Sequence, residues 1–167
     1  IAPIFESVNP DGSNKFKDTN GDGKFDFSDW QIVGNALPDF EASLNNNFKI
    51  GKFDVNLFFR GSFGHSLVNM YRVFYEVSPS GKGLNSIKTK YFDENLTTPS
   101  YNNTHVEDAT FVKLDNATVA YNFDLAGSKS FKTARIYLNG QNLFTITGYT
   151  GVDPEVRLSD KFDSDNG

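Results

Sequence analysis

The sequence predicts an all-β protein, built from antiparallel strands of a transmembrane β-barrel. Three observations point there. Apolar residues recur with a period of two in segments of about eleven residues, near the roughly 9–11 that a tilted strand needs to cross a bilayer. The connections between those segments alternate very short, long, short, long, which is the pattern of outer-membrane barrels. Aromatic residues collect at both ends of the apolar faces.

Residues 1–39 read as loop. They contain Asn9-Pro10-Asp11-Gly12, an acidic repeat over 18–29, and Gly34-Asn35-Ala36-Leu37-Pro38-Asp39. The period of two then begins. Phe40, Ala42, Leu44, Phe48 and Ile50 share one face, with Asn46 as the exception, and Glu41, Ser43, Asn45, Asn47 and Lys49 share the other. Gly51-Lys52 makes a tight turn. Phe53, Val55, Leu57, Phe59 and Phe63 then alternate with Asp54, Asn56, Arg60 and Ser62, which completes a hairpin.

Residues 64–108 form a long polar connection with no lasting period. Tyr71, Tyr75, Pro79, Gly81, Gly83, Tyr91, Pro99 and Tyr101 are spread through it, and Leu67–Tyr71 could form a helical turn. A connection of this length points to function or disorder. A third strand is expected from about Ala109 to Asp124, with Ala117, Val119, Tyr121 and Phe123 on one face. A short link, Leu125–Thr133, leads to a fourth strand from Ala134 to about Phe144, where Ile136, Leu138 and Phe144 oppose Arg135, Tyr137, Asn139 and Gln141. From 145 to 167 the chain turns polar again, as the start of a further external loop.

The barrel reading assigns sides. Segments 1–39, 64–108 and 145–167 are expected outside the cell, and the strands of 40–144 within the membrane. Phe40, Phe63, Phe111 and Phe144 would lie near the outer interface, and Phe48, Phe53, Tyr121 and Phe123 near the inner one, all on the lipid face by parity. Arg60, Arg135, Asn139 and Gln141 would face a wet or plugged lumen. Four strands leave unpaired edges that lipid cannot satisfy, so the sheet is expected to be part of a larger barrel. The start, Ile1-Ala2-Pro3-Ile4, has no Met, and the chain is read as a piece of a longer one. The absence of cysteine excludes a disulfide scaffold and a thiolate metal site. A net charge of −5 argues against a nucleic-acid partner.

The acidic repeat Asp18-Thr19-Asn20-Gly21-Asp22-Gly23-Lys24-Phe25-Asp26-Phe27-Ser28-Asp29 has calcium-loop spacing, with oxygens at positions 1, 3, 5, 9 and 12 and glycine at position 6. Asp18, Asn20 and Asp22 would bind Ca2+ by side chain, Lys24 through its carbonyl, Asp26 directly or through water, and Asp29 would close the loop. Position 12 is Asp rather than Glu, and the flanks show no amphipathic helix, so the expected role is a structural clasp on an external loop. The plain alternative is an Asx-rich turn that binds nothing.

No catalytic constellation is visible. His65 and His105 stand forty residues apart and read as structural. Asp93-Glu94 and Glu107-Asp108 are sequence neighbours that support solvation rather than acid–base work. The loop tyrosines could stack on sugars or on a partner, but read more simply as packed surface. The sequons at Asn95, Asn102 and Asn116 arise readily in Asn-rich loops. An alternative whole-chain reading is a soluble extracellular β-domain, stabilised by calcium, for carbohydrate binding or adhesion. It accounts for the acidity, the aromatics and the metal loop, but not for the apolar outer face.

An ordered set of segments resembles a known family. Asp18–Gly23 followed by Ile32–Phe40, then Phe53-Asp54-Val55-Asn56-Leu57-Phe58-Phe59-Arg60-Gly61-Ser62-Phe63-Gly64, then Phe111–Tyr121, is similar to the late barrel of SusC/RagA-type TonB-dependent transporters. The strongest piece is Ala134-Arg135-Ile136-Tyr137-Leu138-Asn139-Gly140-Gln141-Asn142-Leu143-Phe144-Thr145 with Tyr149–Glu155. The resemblance implies a C-terminal fragment of a plugged barrel of about 22 strands, without its last strand. It implies a Gram-negative outer membrane, import of oligosaccharide or peptide, a SusD-like surface lipoprotein as lid, and energy delivered through TonB. The plug, the TonB box and most of the barrel are expected to lie elsewhere in the longer protein.

Overall fold

The structure, a computed structural model, describes residues 1–78, 85–127 and 131–155. Pro79, Gly81 and Gly83 of the long connection, and residues 156–167 of the last loop, lie outside the described residues. Among the described residues there are eight strands, β1 (Phe5–Val8), β2 (Asn14–Phe16), β3 (Phe40–Ile50), β4 (Phe53–Phe63), β5 (Ser66–Val68), β6 (Val106–Asp108), β7 (Phe111–Asp124) and β8 (Thr133–Thr147), and one short helix, α1, over Met70–Tyr75. The chain divides into two compact units.

One unit, Pro38–Gly64 with Thr110–Gly148, is a four-stranded antiparallel sheet in the order β3-β4-β7-β8. Pairing of β3 with β4 is unbroken from Phe40 opposite Phe63 to Ile50 opposite Phe53, and Gly51 takes the positive φ of 60° that the tight turn requires. The alternation read from the sequence holds along this hairpin. Phe40 stacks on Phe63 with ring centroids 4.6 Å apart, and Phe53 meets Tyr121 edge-on at 4.8 Å. The apolar face remains uncovered: Leu44, Ile50, Ile136 and Leu138 are 59, 67, 66 and 78 % exposed. In water that surface would be costly, whereas hydrocarbon accepts it.

The upper part of the sheet departs from simple alternation. Between matched positions β4 has no extra residue (Phe58, Phe59), β7 has Asp115 (Asn116, Leu114), and β8 has Asn142 and Leu143 (Gln141, Phe144). These are β-bulges, and Asn142 takes a left-handed φ of 51°. The Asp115 bulge reverses parity above it. Leu114 lies opposite Phe59 on the apolar face, while Phe111 pairs with Ser62 and so joins the polar face. Phe111 is buried, and the Lys113 ammonium sits 5.9 Å from its ring. The expected place of Phe111 in the outer aromatic girdle is therefore corrected. Phe144 keeps its place, opposite Leu114.

The other unit comprises the described residues of Ile1–Leu37, His65–Ala109 and Tyr149–Gly167. Within 1–39, read as loop, β1 and β2 form a small ribbon and Ala2 bridges Gln31. Strands of three or four residues are too short to show a period. In the long connection β5 pairs with β6, with Ser66 opposite Asp108. The helical turn expected over Leu67–Tyr71 begins only at Met70, because Leu67 and Val68 belong to β5 and Asn69 caps the helix by accepting from the Arg72 N–H. Gly12, at φ 83°, lets its carbonyl accept from the Thr97 and Thr98 N–H groups. Among the described residues of this unit, Ala2, Val73, Leu96 and Ala109 are buried, as are Pro3 and Pro154.

Candidate functional site

The loop Asp18–Asp29 is a series of Asx turns closed by one buried carboxylate. Asp18 accepts from the Gly21 and Gly23 N–H groups at 2.6 and 2.8 Å. Asn20 Oδ1 accepts from Asp22 N–H, and Asp22 Oδ1 from Lys24 N–H, each at 2.9 Å. Asp26 caps the Phe27–Asp29 turn through Ser28. Gly21 and Gly23 sit at φ 78° and 82°, which lets the chain curl around its own side chains.

Asp29 is fully buried. Its Oδ1 accepts from Thr19 and Asn20 N–H at 2.7 and 3.2 Å, and its Oδ2 from Asp26 N–H at 2.9 Å. The Asp26 N–H bond, with those of Thr19 and Asn20, holds the Asp29 carboxyl below the usual range against burial, and the Ser28 hydroxyl and N–H do the same for Asp26. The oxygens are hard donors of the kind calcium takes. Among the described residues no three acidic, histidine or cysteine side chains converge on one point. The carboxylates of this loop instead point at backbone N–H groups.

The polar face of the sheet is a hydrogen-bonded amide surface. Asn56 Nδ2 donates to Asn45 and Asn47 at 2.6 and 2.7 Å. Asn139 Nδ2 donates to Asn116 at 3.1 Å and to the Thr118 hydroxyl at 2.6 Å. Asn122 donates to Asp54 at 2.7 Å, and Arg135 approaches the same carboxylate at 3.8 Å. Arg60 Nε meets Asp115 Oδ2 at 3.0 Å. Register places Arg60, Arg135, Asn139 and Gln141 together on this face, opposite the apolar one. A depression of about 310 Å³, lined in part by Asn47, Lys49, Asp54, Asn56, Thr118 and Arg135, opens there.

A second polar centre, inside the loop unit, is absent from the sequence reading. Arg72 of α1 is 5 % exposed. Its Nη2 donates to Glu76 at 2.8 Å, and its Nη1 donates to Glu107 at 2.7 Å and to the Thr104 carbonyl at 2.8 Å. The Tyr91 ring lies 4.8 Å from its guanidinium carbon. Glu107, read from sequence as simply solvated, also accepts from Asn69 at 3.1 Å and from the Thr150 N–H at 2.8 Å. Burial alone would raise Glu107, yet the bonds from Arg72, Thr150 and Asn69 hold it below its ordinary value.

His105 completes this centre. Its Nδ1 accepts from the Asn102 N–H at 3.3 Å, and its Nε2 faces Glu76 Oε2 at 3.8 Å. Burial and then the Arg72 guanidinium push its pKa down to about 4, although Glu107 pulls the other way. The ring is therefore neutral at pH 7. The helix spacing of Arg72 and Glu76, four residues apart, was the available signal, but it marks any exposed i,i+4 pair equally well.

No family model matches the chain. It is similar to TonB-dependent receptor P3 of Formosa agariphila, at 32 % identity over 161 residues, covering 86 % of this chain and 15 % of that protein. It is likewise similar to TonB-dependent receptor SusC of Bacteroides thetaiotaomicron, at 29 % identity and the same coverage of 86 % and 15 %. The chain thus spans about 15 % of the length of these curated relatives. Among solved structures, the RagAB peptide importer in its open-open state matches with a TM-score of 0.71 at 18 % identity, over 92 % of this chain and 19 % of that one. Its closed-closed state matches with a TM-score of 0.67 at 20 % identity, over 92 % and 20 %.

Proposed function

We propose that the chain belongs to the barrel of the SusC/RagA-type TonB-dependent outer-membrane transporters and supplies a stretch of wall and external loops to an importer of glycans or peptides. The single supporting observation is the two-faced sheet: uncovered Leu44, Ile136 and Leu138 on one side, and the amide network of Asn56, Asn116 and Asn139 on the other. Such a sheet suits lipid outside and a wet or plug-filled lumen inside. The same exposed apolar face counts against a soluble adhesion domain. In this reading β3 and β7 run inward, β4 and β8 run outward, and the loop unit faces the medium. A SusD-like surface lipoprotein is the proposed partner there, with TonB acting through another part of the protein. The relatives are named as receptors and importers, and the chain's role in this reading is transport rather than catalysis.

Single-cysteine labelling of the full-length protein in vesicles tests it. Leu44→Cys and Leu138→Cys should respond to lipid-borne quenchers, and Asn56→Cys and Asn139→Cys to water-soluble ones. Equal aqueous access at all four would sink the wall assignment.

We further propose that the loop Asp18–Asp29 takes a structural calcium ion through Asp18, Asn20, Asp22, Asp26, Asp29 and the Lys24 carbonyl. The hard-oxygen donor set and the two left-handed glycines support this. The ion would draw together carboxylates that otherwise only cap N–H groups. Hydrogen exchange over residues 15–35 of the assembled protein should slow on adding calcium, and no response would remove the site.

A further inference from the structure

We propose that His105 makes the Arg72–Glu76–Glu107 cluster an acid-released clasp, which holds the long connection to Thr150 at neutral pH and lets go as the medium acidifies. This reading is independent of the calcium site and of the imported substrate.

The clasp joins three stretches of chain within one unit. Asn69, Arg72 and Glu76 come from α1 and its cap, Thr104, His105 and Glu107 from β6 and the turn before it, and Thr150 from beyond β8. Glu107 is the crossing point, because Arg72, Asn69 and Thr150 all donate to it. The side chains of Arg72, Glu76 and His105 are 6, 4 and 7 % exposed, so water cannot replace a lost partner without the cluster opening.

The tautomer of His105 sets the response. The Asn102 N–H points at Nδ1, so the ring hydrogen sits on Nε2, toward Glu76. A second proton must enter at Nδ1. There it meets the Asn102 N–H head-on and breaks the capping box that starts the Asn103–His105 turn. It also adds a positive charge beside Arg72. The other charged or titratable groups around the cluster are Glu76, Glu107, Tyr91 against Arg72, Lys90 over Tyr91, and Tyr149 beside Glu107. Burial raises the Tyr149 hydroxyl, and Glu107 raises it further, so that group stays neutral throughout the acidic range.

The sign follows from linkage. His105 titrates near 4 in the closed cluster and near its usual 6.5 once released, so the open form binds the extra proton. The clasp is whole above 6.5 and weakens as the pH falls toward 4. Glu107 has a lowered pKa, so its contribution is present above the ordinary carboxylate value and is lost at still lower pH.

Hydrogen exchange of the full-length protein in lipid, corrected for intrinsic rates, reads the clasp directly. Protection over residues 69–76 and 102–107 should fall on the order of tenfold between about pH 7.5 and about pH 5, while β4 stays unchanged. His105→Gln should flatten that dependence. Unchanged protection in the wild type, or an unaltered dependence in H105Q, would overturn the proposal. Should H105Q not assemble, exchange of the imidazole carbon-bound hydrogen, followed by mass spectrometry on the wild type, gives the His105 midpoint. A value at or above 6.5 would equally overturn it.

Discussion

Asp115 has no matched position opposite β4, yet its carboxylate reaches across to Arg60 on that strand, Oδ2 to Nε at 3.0 Å. The ion pair sits where the sheet changes phase. Below it, odd-numbered residues of β7 share the apolar face. Above it, Leu114 and Val112 take that face, opposite Phe59 and Gly61.

Deleting Asp115 should therefore cost more than neutralising it. Asp115→Ala keeps the extra residue and removes a half-exposed ion pair, a loss of about 1 kcal/mol or less. Deletion keeps Lys113 on the polar face, because Asn116 and Leu114 already match the consecutive Phe58 and Phe59, but it leaves the two surplus residues of β8, Asn142 and Leu143, against an unbulged β7 and so strains that pairing as well. Urea unfolding of the full-length protein in vesicles compares the two. Similar losses would mean that the charge matters and the bulge does not.

The two faces of β8 should differ sharply in their tolerance of charge. Leu138 points to the apolar side, opposite Val119, and Asn139 to the polar side, opposite Thr118. Leu138→Arg is expected to cost about 2–4 kcal/mol if it lies near the bilayer midplane, and Asn139→Arg less than about 1. Folded yield in lipid is the readout, and the reverse ranking would invert the sheet.

Two left-handed glycines of the loop unit should separate strain from crowding. At Gly21, φ 78°, an added Cβ meets open space, so Gly21→Ala carries only the left-handed penalty of about 1–2 kcal/mol. At Gly12, φ 83°, the same atom would also collide with the Thr97 side chain and come within 3.0 Å of the Asn95 carbonyl. Gly12→Ala should open local hydrogen exchange over residues 9–14 and 95–98 more than Gly21→Ala opens 18–24. Gly12→Ala paired with Thr97→Ala should recover part of the difference.

Asp29 and Asp22 should fail differently. Asp29→Ala leaves the Thr19, Asn20 and Asp26 N–H groups without their acceptor, so the loop should loosen with or without calcium. Asp22→Ala removes the bond from the Lys24 N–H, a long one from the Asn20 amide at 3.4 Å, and one proposed ligand. Its effect should be small in chelator and pronounced in calcium, and should exceed that of Asp11→Ala only when calcium is present. Identical profiles for Asp22→Ala and Asp11→Ala would count against Asp22 as a ligand.

The strands were legible because lipid imposes a strict rule on one face, and Phe40 through Phe63 obey it with Asn46 as the exception, in unbroken pairing. Phe111 was misplaced because a bulge is a local insertion. Nothing in Asp115-Asn116 announces which residue is left without a partner. The calcium-type loop was visible as spacing, but its structural content is Asp29, whose burial and three N–H bonds are tertiary facts. The Arg72 centre was hidden for a related reason. Glu107 is thirty-five residues from Arg72 and Thr150 is forty-three beyond Glu107, and no short-range pattern joins them.

Across β4, β7 and β8 the number of surplus residues rises from none to one to two. A crystallographer would recognise a dislocation: two regions of good lattice that meet along a line where rows have been inserted. Such a defect cannot be healed on one strand alone. In descent, then, a gain or loss of one residue along this line has to be answered by the neighbouring strand. Length variation among relatives should here appear as correlated steps across adjacent strands, whereas their loops are free to grow or shrink independently.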